Sequence, residues 1–128
     1  MSSANAVLTK SYLAGAAVAK YRIVKFGADA NHVVQGAAAA DALVGVSADL
    51  AAAAAEERLD VVHAGIAEVE FGGTVTAGAL VTSDADGKAV AAAPAQGANA
   101  RILGVARVGG AAGDIGSVFL TLGVMQGA

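Results

Sequence analysis

Acid–base or metal chemistry in this 128-residue chain would have to start from its two histidines, His32 and His63. They are far apart and lack the i, i+4 spacing that puts two imidazoles on one helical face. His63 ends the run Asp60-Val61-Val62-His63, where a hydrogen-bonded strand histidine is the plain reading, and no spacing nominates a Ser or Asp partner for it. Carboxylates come close at Glu56-Glu57 and at Glu68 with Glu70. The second pair would share one face of a strand, as a glycosidase dyad does, but such a dyad needs an apolar pocket to separate its pKa values. The aromatic side chains that line sugar clefts are scarce, with no Trp and two Tyr. Asp84-Ala85-Asp86-Gly87 has the alternating oxygens that open a calcium loop, but no Glu closes a twelve-residue loop behind it, so it reads as a hairpin turn. Gly72-Gly73 and the glycines from Gly109 to Gly116 have neither Walker nor dinucleotide spacing. The chain is therefore expected to be no enzyme, with no catalytic residue, no metal site and no cofactor.

Composition narrows the remaining classes. A chain of this length makes one domain that buries roughly two-thirds of its unfolded surface. Cys is absent, so disulfides and thiolate metal sites are excluded. The net charge is -3, and the eight Lys and Arg are scattered singly, which argues against a nucleic-acid partner. Mean hydropathy is +0.62, yet Gly or charge interrupts the Ala and Val content before any run of ~18 apolar residues builds up. No membrane partner is expected. Met1 to Asn5 carry none of the Lys or Arg of a signal peptide, so export is not expected either. With 17 Gly and abundant Ala, the core gains little per side chain. Association with a partner that binds only the folded state would offset that weakness.

Elements that could position these residues follow from short Val, Ile, Leu and Phe runs ended by Gly, Asp or Asn. Strands are expected at residues 20–26, 32–35, 43–47, 59–63, 67–71, 79–83, 88–92, 102–108 and 117–122. In Ala67-Glu68-Val69-Glu70-Phe71 apolar residues alternate strictly with the two Glu, and Val118, Leu120 and Leu122 share one face. The Asp86-Gly87 turn should pair Leu80-Val81-Thr82 with Ala89-Val90. Residues 91–100, with the single proline Pro94, read as a surface excursion. Residues 50–58, Ala-rich and ending in Glu56-Glu57-Arg58, allow either a turn or two of helix or an irregular loop. A two-strand unit is echoed, with Leu43-Val44-Gly45-Val46 and Val61 to Gly65 matching Ile102-Leu103-Gly104-Val105 and Phe119 to Gly123. The fold class is thus all-β, a small antiparallel β-barrel or β-sandwich over residues 20–128. Residues 1–19 lack alternation and read as an extended N-terminal arm.

Three stretches carry a further likeness: Gly45-Val46-Ser47 before an Ala-rich acidic loop, Arg58-Leu59-Asp60-Val61-Val62-His63-Ala64-Gly65-Ile66-Ala67-Glu68-Val69, and Gly72-Gly73-Thr74-Val75-Thr76-Ala77-Gly78-Ala79-Leu80-Val81-Thr82-Ser83-Asp84. In their order along the chain, with Gly113-Asp114-Ile115 and Val118-Phe119-Leu120 closing it, the sequence resembles the small capsid decoration, or cement, proteins of tailed bacteriophages. The resemblance implies a β-barrel or β-sandwich, made in the host cytoplasm, that adds to the outer surface of a matured head. It would clamp neighbouring subunits of the major capsid protein. It also implies a homo-oligomer, a trimer on a local three-fold first and a dimer second, and an arm that orders on the capsid. The residues it nominates for that contact are Ser2, Asn5, Val7, Leu8, Lys10 and Tyr12. A carbohydrate or cell-surface binding β-module and, behind it, a small hydrolase using His63 with a carboxylate are the competing readings.

Overall fold

β-branched residues at alternate positions favour extended chain because they pack well on a pleated surface, and the structure realises nearly all such stretches as strands. The structure, a computed structural model, describes residues 5–48 and 51–127. Among these residues there are nine strands and no helix: β1 (Asn5–Ala14), β2 (Ile23–Phe26), β3 (His32–Gln35), β4 (Leu43–Ser47), β5 (Arg58–Glu70), β6 (Leu80–Ser83), β7 (Ala89–Ala91), β8 (Asn99–Ala106) and β9 (Ile115–Gln126). The all-β expectation holds.

The strands form one sheet in the order β1-β3-β2-β4-β5-β9-β8-β6-β7, with an additional β1–β5 pairing. That pairing closes β1, β3, β2, β4 and β5 into a barrel-like ring, while β9, β8, β6 and β7 continue from β5 as a second lobe. The pairings are antiparallel except β1 with β3, where Leu13 and Ala14 lie beside His32 and Val33 in parallel.

Two apolar cores follow from this arrangement, and β5 serves both. Leu59 and Val61 join Tyr12, Val24 and Val33 in the core of the ring strands. Val62, Ala67 and Val69 join Phe71, Leu103 and Val118 in the larger core that ties the ring to the second lobe. Successive strand residues point to opposite faces, so a long strand can feed two cores. Each fully buried Val or Leu contributes about 1.5–3 kcal/mol.

Several boundaries differ from the sequence reading. The expected strands 59–63 and 67–71 are one strand, because the chain continues through Gly65 at φ 97° opposite an irregular stretch of β1 between Ala6 and Thr9. In the 50–58 segment, residues 51–57 form a loop, while Leu50 lies outside the described residues. Ala52 exchanges two backbone hydrogen bonds with Val18, at 2.8 and 2.9 Å, and this tertiary pairing overrides the alanines' helix propensity. Residues 1–19, set apart above as an arm, carry β1, whose last turn of side chains, Tyr12 and Ala14, is buried with Val18 in the ring's core. Its first seven described residues are exposed. The echoed unit corresponds to two antiparallel pairs, β4 with β5 and β8 with β9.

The Asp-Gly turn forms as read. Asp84 Oδ1 accepts from the Asp86 and Lys88 amides at 2.8 and 2.9 Å, Gly87 sits at φ 73°, and Val81, Thr82 and Ser83 pair with Ala91, Val90 and Ala89. The Ile23 amide donates to the Gly87 carbonyl at 2.7 Å, so the turn also anchors the start of β2. A Cβ at Gly87 would stand 2.7 Å from Gln35 Cγ and 3.0 Å from the Ile23 oxygen. Gly87→Ala is therefore expected to cost about 2 kcal/mol, read as a shift in urea midpoint at unchanged slope.

Candidate functional site

The residues with the most chemical potential are engaged in holding the fold. His63 Nδ1 lies 2.7 Å from the Val44 carbonyl oxygen, which can only accept, so Nδ1 carries the proton. In the neutral ring Nε2 then accepts from the Tyr12 hydroxyl, 2.7 Å away, and the two rings meet edge to face at 5.4 Å. Both ring nitrogens are spent on β1 and β4. Glu70 pairs with Arg22 at 3.1 Å and Lys88 at 3.2 Å. Burial alone would raise its carboxyl, but hydrogen bonds and charge from Arg22 and Lys88 outweigh that and hold it below the ordinary glutamate value. Arg22 also donates to the Asp86 carbonyl at 3.1 Å, which ties the β6–β7 turn to β2. Asp84 spends its carboxylate oxygen on its own turn.

Sequence reasoning missed a cluster around His32. Its Nδ1 is 2.8 Å from Asp29 Oδ1, and its Nε2 is 3.0 Å from Glu56 Oε1. The Asp29–His32 spacing of three residues was visible, but Glu56 arrives through the fold of the β4–β5 loop. Among the described residues no group of three or more His, Cys, Asp or Glu is arranged to hold a metal ion.

What the fold does present is apolar surface. Across the sheet, Ile66 of β5, Phe119 of β9, Val105 of β8 and Leu80 of β6 are direct register partners in succession. Residues so paired point to the same face, so the four make one transverse row; Phe119 and Leu80 are 45% and 40% exposed. Asn5 of β1 continues the row beside Ile66. Next to it, Val7 and Leu8 are 80% and 54% exposed. A separate shallow pocket of about 200 Å³ lies between Leu43, Arg101, Leu122 and Val124. It falls below the roughly 300–1,000 Å³ of typical small-molecule sites.

No family model matches the chain, and no curated protein matches it. Among solved structures, the crystal structure of the head fiber gp8.5 N base of bacteriophage phi29 matches with a TM-score of 0.68, covering 89% of this chain and 93% of that one. The fold is similar to that of a phage head-fiber base. At 15% identity the likeness is one of fold, and it spans nearly the whole chain.

Of the six residues nominated for contact, Ser2 lies outside the described residues. Asn5, Val7 and Leu8 are exposed on β1 beside the apolar row, while Lys10, also exposed, pairs with Val61 and lies over the Tyr12 ring. Tyr12 is only 8% exposed and belongs to the ring's core with its hydroxyl on His63. Its part in a docking face gives way to a structural one.

Proposed function

We propose that this chain is a structural protein of a phage virion that binds the outer surface of the mature head and clamps neighbouring major capsid subunits. The observation that carries the reading is the fold likeness to the phi29 head-fiber base over 89% of the chain. The apolar row of half-buried Ile66 and Val105 with exposed Phe119 and Leu80, next to exposed Val7 and Leu8, supports it, because contiguous apolar surface marks interaction sites. The mechanism is association without chemistry. A symmetric capsid repeats the same site, so a modest interface becomes effective when each unit touches two or three subunits. Self-association into a trimer would add to that avidity. The hydrolase reading has less to draw on, since both nitrogens of His63 are occupied.

Purified protein should co-sediment with expanded, mature heads and not with compact precursors or free capsid subunits. The paired substitution Leu8→Ser with Phe119→Ser should weaken sedimentation at least about tenfold, as for central interface anchors, with an unchanged circular dichroism spectrum. Equal binding to free subunits, or full binding by the substituted protein, would remove this reading.

A further inference from the structure

His32 opens β3 beside Leu13 of β1, with Asp29 three residues before it in the β2–β3 connection and Glu56 on the β4–β5 loop. Nδ1 stands 2.8 Å from Asp29 Oδ1; Nε2 stands 3.0 and 3.2 Å from the two Glu56 carboxylate oxygens. Ionised carboxylates only accept, and a neutral imidazole has a single N–H. Only the imidazolium can therefore donate to both carboxylates at once. The neutral ring must turn a lone pair toward one of them.

The fold determines which one is lost. Asp29 is fixed locally, since its Oδ1 also accepts from the Asn31 amide at 2.9 Å. Glu56 is held less firmly, because its side chain is 68% exposed and its backbone sits at φ 70°, a region that L side chains rarely adopt. Around it the loop is stapled to the end of β1. The Glu56 amide donates to the Ala14 oxygen at 2.7 Å, and the Ala14 amide donates to the Glu57 oxygen at 2.8 Å.

We propose that Asp29, His32 and Glu56 form a proton-operated clasp, in which protonated His32 holds the β4–β5 loop against β1 and β3 and the neutral ring releases it at Glu56. The surrounding charges are committed elsewhere. Lys25 of β2 pairs with Asp41 at 3.0 Å, Lys10 of β1 lies over the Tyr12 ring, and Glu57 accepts from the Ala53 amide. Arg58 of β5 is separated from His32 by Leu13, which pairs with both. Hydrogen bonds donated first to Asp29 and then to Glu56 raise the His32 pKa above its ordinary 6.5, and the bond that Asp29 accepts in turn lowers its own. A histidine whose folded pKa is raised stabilises fully below its unfolded value, and that stabilisation is lost as pH rises through the folded value. Opening is thus an event of rising pH. On the acid side, Asp29 keeps its contribution until pH falls through its lowered value.

Nuclear magnetic resonance on the intact, isotope-labelled chain tests this directly. Both His32 ring nitrogens should read as protonated at pH 6.5, with a titration midpoint above that value, and Glu56→Gln should lower the midpoint. Hydrogen-exchange protection of the Glu56 and Ala52 amides, corrected for intrinsic base catalysis, should fall about threefold as the wild-type chain crosses the midpoint, in keeping with an exposed ion pair. Glu56→Gln should show no such step. A midpoint at or below 6.5, or protection that stays flat through the titration, would overturn the clasp.

Discussion

Phe71→Ala is expected to lower stability by about 4 kcal/mol and the thermal midpoint by more than about 10 °C. Of the three phenylalanines, Phe26 and Phe119 are each 45% exposed, whereas Phe71 is fully buried and is the largest side chain in that state. Its neighbours are unable to refill the space it would leave. A Cβ on Gly110 would stand 2.9 Å from Phe71 Cδ2, and a Cβ on Gly116 would fall on the ring itself. The ring occupies the volume that two glycines leave empty, and a close-packed interior gives way only partly around a deletion.

The same geometry predicts that Gly116→Val damages the core from the opposite side. Phe119→Ala, by contrast, removes a half-exposed ring and should cost no more than about 1 kcal/mol. Urea denaturation of the three variants separates the cases. A loss below about 1 kcal/mol for Phe71→Ala would mean that the second lobe collapses onto the space, and that Gly110 and Gly116 do not shape it. A cost near 4 kcal/mol is large against the 5–15 kcal/mol that stabilises a typical domain, and Val and Ala dominate the rest of this core.

The parts of the fold that were legible in the sequence are those fixed by short-range chemistry. Asp86-Gly87 needs only its own backbone preference to make the β6–β7 turn, and the alternation of Ala67 to Phe71 needs only a period of two. The ring was not legible, because its closure rests on β1 meeting β5 some fifty residues away and β3 in parallel, as in the Tyr12–Leu59 and Leu13–His32 pairs. No local pattern encodes either contact. Gly65 read as a break between strands, while in the fold it is an irregularity inside one strand. The apolar row was not legible, because Ile66, Phe119, Val105 and Leu80 become one surface only once four strands are in register. Glu56 likewise reaches His32 only through the loop that Ala52 pins to Val18.

Truncation at the two ends of β1 should give opposite outcomes. Removing residues 1–10 deletes the pairings of Asn5, Ala6, Leu8, Thr9 and Lys10 with Ile66, Gly65, Ala64, Val62 and Val61. All the described side chains lost are exposed, so the apolar cores stay whole. Each lost backbone hydrogen bond is worth about 0.5–1.5 kcal/mol, and part of that is offset by the chain entropy no longer spent on ordering the segment. The shortened protein should keep its β-rich circular dichroism spectrum with a lowered melting temperature. Its binding to heads should drop sharply because Val7 and Leu8 are gone. The uncovered edge of β5 should also make it self-associate at high concentration, as unpaired strand edges do. Removing residues 1–14 instead takes out Tyr12 and Ala14, the parallel pairs with His32 and Val33, and the hydroxyl that His63 accepts from. The ring then has no closing strand, and the loss should exceed about 5 kcal/mol, comparable with the whole stability of a small domain. That chain should be unfolded in dilute buffer. If both truncations unfold, the exposed half of β1 is needed for the ring itself. If both stay folded, the ring core is not what Tyr12 and Ala14 sustain, and β5 is stable without a partner on that edge.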